Sequence, residues 1–393
     1  MNVEALREDT PGCAHHAHLN NAGAALMPRP VLEAIRNHLA LEEQLGGYEA
    51  EERVSEQIAE AYQAVGELTG VPARQVAFTE NATASFIQAL SSLSLERDDV
   101  VLTTRNDYAS NQIQLLSLEQ RLGVRVIRIP NLPEGGADPQ AARELIAKHR
   151  PRLVCASHVP TNSGLVQDVR SIGRACREQD VTYLVDACQS VGQLSLDLEA
   201  FGADFLSGTA RKFLRGPRGS GFLSVSDRVL ERGLLPLYPD LHSARWVAED
   251  RFEPVDDARR FENWEFPRAI VLGTGVAARY ALELGIARIA DRIRTLATRL
   301  RDGLGTLEGA KVLDRGPELC GIVTTWIDGH QPRNLVHALR DRGIHAWAQE
   351  RVDATLDYDE KGVPGALRLS PHAYNTVEEI DRTLEVLGEL TGR

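Results

Sequence analysis

The segment Ser207-Gly-Thr-Ala-Arg-Lys-Phe-Leu-Arg-Gly-Pro-Arg-Gly-Ser-Gly221 sets Lys212 among arginines, with a hydroxyl three residues upstream and a glycine-rich turn downstream. A partly desolvated lysine near other cations keeps its amine available at neutral pH, as Schiff-base chemistry with a carbonyl cofactor requires. Taken alone, the same segment suits a solvated surface turn or a simple phosphate loop. A second piece is Tyr183-Leu-Val-Asp-Ala-Cys-Gln-Ser190, an apolar run that ends in Asp186 with Gln189 just beyond. An acid at the carboxyl end of a parallel strand can hold a pyridine nitrogen protonated and so make the ring an electron sink; a helix N-cap or a metal ligand is the other use of such a residue. The third is Phe78-Thr-Glu-Asn-Ala-Thr-Ala-Ser85, where a strand turns into a helix. Its first N–H groups, at Ala82 and Thr83, together with the Thr83 hydroxyl, suit a phosphate, although a plain capped helix reads the same way. A phosphate cradle, a strand-end acid and an activated lysine, in that order, suggest pyridoxal 5′-phosphate.

The elements that must position these residues are legible in the hydrophobic pattern. Helical periodicity covers Pro30 to Leu45 and Val54 to Leu68, the latter stopped by Gly70 and Pro72. From Val76 to Val225 short apolar runs begin at Val76, Val100, Val124, Leu153, Tyr183, Ala203 and Gly221. Helix candidates such as Ala82 to Leu95, Pro139 to His149 and Val169 to Gln179 separate them. Continuous apolar strands alternating with helices predict an α/β domain whose mostly parallel sheet is covered on both faces. Leu235 to Phe261 breaks this regularity as a connection or active-site loop. A long helix candidate, Ile270 to Leu304 with a break near Gly285, then leads into an α+β region. That region holds a strand at Gly321 to Trp326, a helix at Arg333 to Arg342 and a terminal helix from Val377.

Composition narrows the function class. A net charge of −12 over 393 residues leaves no general basic field for a polyanion, so no nucleic-acid partner is expected. The acidic start is unlike a leader, and no segment approaches about 20 uninterrupted apolar residues, so the expectation is a cytoplasmic protein without membrane contact. Five scattered cysteines with no Cys-x-x-Cys pair read as reduced thiols, with Cys155, Cys188 and Cys320 as small buried hydrophobes.

Thr79-Glu-Asn-Ala-Thr, Ser157-His-Val-Pro-Thr-Asn-Ser-Gly164, Val185-Asp-Ala-Cys-Gln-Ser and Ser207-Gly-Thr-Ala-Arg-Lys together resemble the class V aminotransferase family of fold-type I pyridoxal phosphate enzymes. That family includes cysteine desulfurases, isopenicillin N epimerase and carbon–sulfur lyases. The likeness runs from about His18 to His372. It implies a large cofactor-binding domain over 30–262 and a smaller domain from 1–29 with 263–393, in a homodimer with the site at the interface. It makes Lys212 the Schiff-base lysine and Asp186 the partner of the pyridine nitrogen. Gln189 and Thr161, with Asn162, would reach the phenolic oxygen, and Tyr108 would stack on the ring. Ala82, Thr83, Thr209 and Arg211 would hold the phosphate. Arg368 would clamp the carboxylate of an amino-acid substrate, and Asn21, Tyr48 and His372 would line its pocket.

Two departures refine this picture. Cysteine desulfurases carry a nucleophilic cysteine shortly before the carboxylate-binding arginine, yet His345 to Gly365 has none. Arg260 to Glu265 lacks the Gly-Thr pair that reaches the partner's phosphate in many relatives, which leaves Asn263 or Trp264 for that place. The expected activity is therefore a carbon–sulfur β-lyase giving a thiol or sulfenate, pyruvate and ammonia. Epimerisation, transamination and decarboxylation-coupled deamination remain open alternatives.

Two further patterns have blander readings. Gly273-x-Gly-x-x-Ala278 lies in helical periodicity and suits close helix packing better than a dinucleotide. His15, His16 and His18 beside Cys13 are expected to be solvated and to hold no metal.

Overall fold

The structure is a computed structural model that describes residues 1–392. Seven strands form the central sheet: β1 (Val76–Thr79), β2 (Val100–Thr104), β3 (Arg125–Ile129), β4 (Leu153–Ser157), β5 (Thr182–Asp186), β6 (Phe205–Thr209) and β7 (Gly221–Val225). Their order is β1-β7-β6-β5-β4-β2-β3, and only β7 runs against its neighbours. Alternate residues face opposite sides, as the two-residue period of a strand demands. Phe78, Leu102, Val154, Tyr183, Val185 and Phe222 join one apolar layer, whereas Ala77, Val101, Leu153, Cys155, Leu184 and Phe205 join the other. Both faces are covered, which is why these strands read as unbroken apolar runs.

Besides two short helices, Val3–Glu8 and Asp227–Glu231, the helices are α1 (Arg29–Leu45), α2 (Gly47–Arg53), α3 (Ser55–Thr69), α4 (Ala82–Ser91), α5 (Ala109–Leu122), α6 (Pro139–His149), α7 (Val169–Glu178), α8 (Arg268–Leu284), α9 (Ile286–Gly305), α10 (Pro332–Asp341), α11 (Thr355–Lys361) and α12 (Val377–Thr391). Helices α3, α6, α7 and α8 cover the first face of the sheet, and α4 and α5 the second. A second, antiparallel sheet has the order β8 (Ala310–Val312), β9 (Val323–Ile327), β11 (Gly365–Leu369), β10 (Trp347–Glu350). Leu296, Leu300, Leu335, Leu367 and Leu387, from α9, α10, β11 and α12, share its core.

The helix candidate from Ile270, with its break near Gly285, is two helices bent by 80° at that glycine, whose φ of 84° suits a residue without a side chain. The stretch expected to be a loop contains a hairpin, Ala244–Ala248 with Arg251–Pro254. The strand expected from Ala203 starts at Phe205 and continues to Thr209, which shortens the link to Lys212. Among the described residues, no single helix is long and apolar enough to cross a membrane.

Of the segment that the sequence assigns to the smaller domain, α8 packs on α1 and α3. A Cβ on Gly275 would lie 2.4 Å from that of Ala61, and one on Gly273 would lie 2.7 Å from Ile35 Cγ1, so the glycine pattern serves helix packing. Gly275→Val is expected to destabilise the protein by about 2 kcal/mol through overpacking, read as a lower urea midpoint. An unchanged midpoint would mean that the helices separate freely.

Candidate active site

All the polar turns that the sequence singles out lie at one edge of the sheet. The edge is set by chain direction: β1, β2, β4, β5 and β6 all end there, and the antiparallel β7 begins there. A cleft of about 420 Å³ is lined by Asn81, Ala82 and Thr83 after β1, Tyr108 after β2, Ser157, Val159 and Thr161 after β4, Asp186, Cys188 and Gln189 at β5, and Thr209, Arg211 and Lys212 at β6. A continuous outer cleft of about 520 Å³ adds Asn20, Ala22, Gly23, Ala24, Arg218, Trp347, Gln349, Asp353 and Arg368.

Lys212 is 7% exposed, and burial lowers its pKa from 10.5 to about 8, with Arg211 and Arg368 adding to the drop and Cys188 and Asp186 opposing it. Its Nζ lies 5.9 Å from the centroid of the Tyr108 ring. Asp186 receives the Cys188 N–H at 2.9 Å and the Asn111 amide at 3.0 Å. At the start of α4 the Asn81 side chain caps Ala84, and Ala82 and Thr83 line the cleft. Gly221 permits this placement, since a Cβ there would sit 2.5 Å from the Ala82 nitrogen.

At the outer end, Arg368 on β11 donates from Nη1 to the Thr161 carbonyl and hydroxyl, both at 2.9 Å. Gln189 donates to the same hydroxyl at 2.8 Å, so the Thr161 proton is left to point elsewhere. Arg368 Nε and Gln189 Oε1 are buried without partners. Buried polar groups are normally satisfied, so these two mark capacity for a ligand. Burial lowers the Arg368 pKa to about 10, still cationic at neutral pH.

Four expected residues lie elsewhere. Asn21 is fully buried, donates to the carbonyls of His18 and Ser370 and accepts from Tyr374; it fastens the N-terminal segment, and its neighbour Asn20 lines the cleft instead. His372 is stacked between Phe213 and Tyr374 and bonded to the Phe213 carbonyl, and burial lowers its pKa to about 3. It supports the lysine loop from behind. Tyr48 is 70% exposed on α2, which begins just after Gly46, and lines a separate cleft with His242 and Trp264. Asn162 points away to Asp357. Cys320 is buried ahead of β9, which starts at Val323. His18, expected to be solvated, is also buried: its Nδ1 lies 3.1 Å from that of His345 and its Nε2 2.8 Å from the Ala24 carbonyl, which tie the N-terminal segment down. Sequence reasoning missed Asp107 and Asn111 behind Asp186, and Trp347, Gln349 and Asp353 at the outer rim; the one signal was Tyr108, which Asp107 precedes and Asn111 follows in the chain.

A buried lysine, a strand-end acid and an open helix N-terminus on a sheet of this topology define a fold-type I pyridoxal phosphate enzyme. The Aminotransferase class-V family matches residues 17–383, and the chain belongs to it. It is 28% identical to a probable cysteine desulfurase of Methanothermobacter thermautotrophicus, over 100% of this chain and 99% of that one. It is 30% identical to isopenicillin N epimerase of Streptomyces clavuligerus, covering 95% and 94% of the two chains. A probable hercynylcysteine sulfoxide lyase of Mycobacterium tuberculosis is 28% identical, with coverage of 94% and 89%. The fold superposes on an apo cysteine desulfurase from Thermococcus onnurineus with a TM-score of 0.91 at 24% identity, covering 99% and 98%. The cofactor is pyridoxal phosphate.

With its pKa near 8, Lys212 gains its nucleophilic neutral form well below the range of an ordinary lysine. Borohydride trapping of pyridoxal phosphate on apoprotein should rise up to about pH 8 and then level off. A rise that continues to about pH 10 would show an ordinary, solvated amine.

Proposed function

We propose that the protein is a carbon–sulfur β-lyase that releases a thiol or sulfenate, pyruvate and ammonia from an S-substituted cysteine. The observation that carries this reading is the absence of a thiol from the described residues at the outer cleft, where Trp347, Gln349 and Asp353 line the rim. Cys13, Cys155, Cys176 and Cys320 are buried elsewhere. Cys188 lies beside Asp186 at the inner end, where burial and that carboxylate raise its pKa well above the ordinary range. A persulfide acceptor needs an accessible thiolate. The substrate's sulfur therefore leaves without transfer to the protein, and this separates the chain from relatives named as desulfurases.

When bound, pyridoxal phosphate supplies an electron sink conjugated to the substrate's Cα. The residues around it have distinct tasks. Arg368, with its planar fork and unpaired Nε, binds the α-carboxylate. Lys212, with its amine poised near neutrality, removes the Cα proton and returns a proton after the sulfur departs. Asp186, fixed by two N–H donors, holds the proton at the pyridine nitrogen. The α4 N-terminus and Thr209 hold the phosphate. Tyr108 covers one face of the ring and excludes water.

The purified holoenzyme should convert an S-alkylcysteine to equimolar pyruvate and thiol. Lys212→Ala should lower turnover by about 10³-fold, while Cys188→Ala should retain it. Loss of activity in Cys188→Ala, together with a persulfide found on Cys188 of the wild-type protein during turnover, would overturn the reading. Exchange and inversion at Cα without pyruvate would replace it with epimerisation.

We also propose a cytoplasmic homodimer with the site at its interface. Leu237, Tyr238, Leu241, Trp246 and Phe252 are exposed around the hairpin, beside the cleft holding Tyr48 and Trp264. Such a concentration of apolar surface marks a contact face. Light scattering at micromolar concentration should give twice the chain mass, and Trp246→Asp should lower it. A monomeric, fully active wild type would refute the dimer.

A further inference from the structure

Behind Asp186 lies a second carboxylate that the mechanism above does not use. Asp107, at the end of the β2 turn, is buried and receives four donors. Its Oδ1 accepts from the Ser157 hydroxyl, the Tyr108 N–H at 2.7 Å and the Asn111 amide at 3.2 Å; its Oδ2 accepts from the Thr103 hydroxyl at 3.0 Å. The second N–H of the same Asn111 amide goes to Asp186 at 3.0 Å. Thr103 Oγ1 in turn accepts from Gln112, whose own carbonyl accepts from Arg128, and the Thr103 proton is free to go to Asp107. A chain of hydrogen bonds thus runs from the half-buried Arg128 guanidinium to Asp107.

We propose that Asp107 is a positioning residue for the cofactor end of the site, acting as a buried anion that orients Asn111 onto Asp186 and fixes Tyr108 by its backbone. Four groups able to donate surround Asp107, two of them N–H groups that cannot accept, and this suits an ionised carboxylate, which accepts only. Its negative charge adds to that of Asp186 in favouring a cation at the position of the ring nitrogen. Burial, with Asp186 adding to it, holds the Asp107 carboxyl above its usual range, and the donors pull it down. The other titratable groups facing the pair are Lys212 and Cys188 at Asp186, and Cys155 and Tyr183 at Asp107. The inference rests on Asp186 being the pyridine partner.

The test is a pH titration of the visible absorbance of the holoenzyme, with cofactor affinity measured in parallel. Asp107→Asn keeps the shape and removes the charge. Losing an anion disfavours protonated nitrogens nearby, so the titration should move down by about one pH unit and cofactor affinity should fall about tenfold. Asn111→Ala, which keeps the Asp107 charge and breaks the bridge, should lower affinity in the same direction. The double variant should be no weaker than the worse single one, since both act through Asp186. A lower melting temperature with unmoved absorbance titration and affinity would reduce Asp107 to a structural role and overturn the proposal. Asp186→Asn separates the two levels: if it leaves titration and affinity unchanged, the assignment of Asp186 itself fails. If it changes them while the Asp107 and Asn111 variants do not, only the present inference fails.

Discussion

Lys212 stands three residues past the end of β6, and removal from water is the largest influence on its amine. Desolvation penalises the charged form, so the cover over Lys212 decides whether the amine is reactive at neutral pH. That cover comes from separate parts of the chain: Tyr108 after β2, Ala22 to Ala24 from the N-terminal segment, and Arg368 from the second sheet. None of them is close to Lys212 in sequence. The reactive amine is therefore a product of the tertiary structure, and every element that closes this edge shares in setting its pKa.

The sheet makes that convergence possible. Ser157, Asp186 and Ser207 are side by side in register across β4, β5 and β6, so one row of polar side chains ends the apolar strands together. Strand parity aims Asp186 at the face covered by α4 and α5, where Asn111 reaches it. The opposite parity would have aimed it at the face covered by α3, α6, α7 and α8, away from any polar partner of this kind.

What was legible in the sequence follows from this geometry. Lys212, Asp186, Ala82, Thr83 and Gln189 each follow an apolar strand by a few residues, so knowing the strand nearly locates the side chain. Asn21, Tyr48 and His372 lie in irregular or exposed segments where neighbouring residues differ in direction. One residue separates the buried Asn21 from the cleft-lining Asn20, and no periodicity marks which is which. Asp107 and its donors were hidden for another reason: Thr103, Asn111 and Ser157 are assembled from two strands and a helix, and their hydrogen bonds leave no pattern along the chain. The bend at Gly285 was visible as a break, but its angle is set by what α8 and α9 pack against.

Residues 17–25 bridge the two sheets like a splint. At one end Ala17 and Leu19 bond to Gly343 and His345, and Ser370 bonds back to Leu19. At the other end Ala25 bonds to the Arg211 carbonyl and Gln189 to that of Ala22. The span between Arg368 and Lys212 is thus gauged by a stretch of backbone with fixed anchor points. Surface loops absorb changes of length at small cost, whereas a residue inserted or deleted here would slip one anchor against the other and regauge the opening itself. A different substrate size on this scaffold therefore calls for different side chains at the rim, Trp347 and Asp353 among them, rather than for a splint of different length.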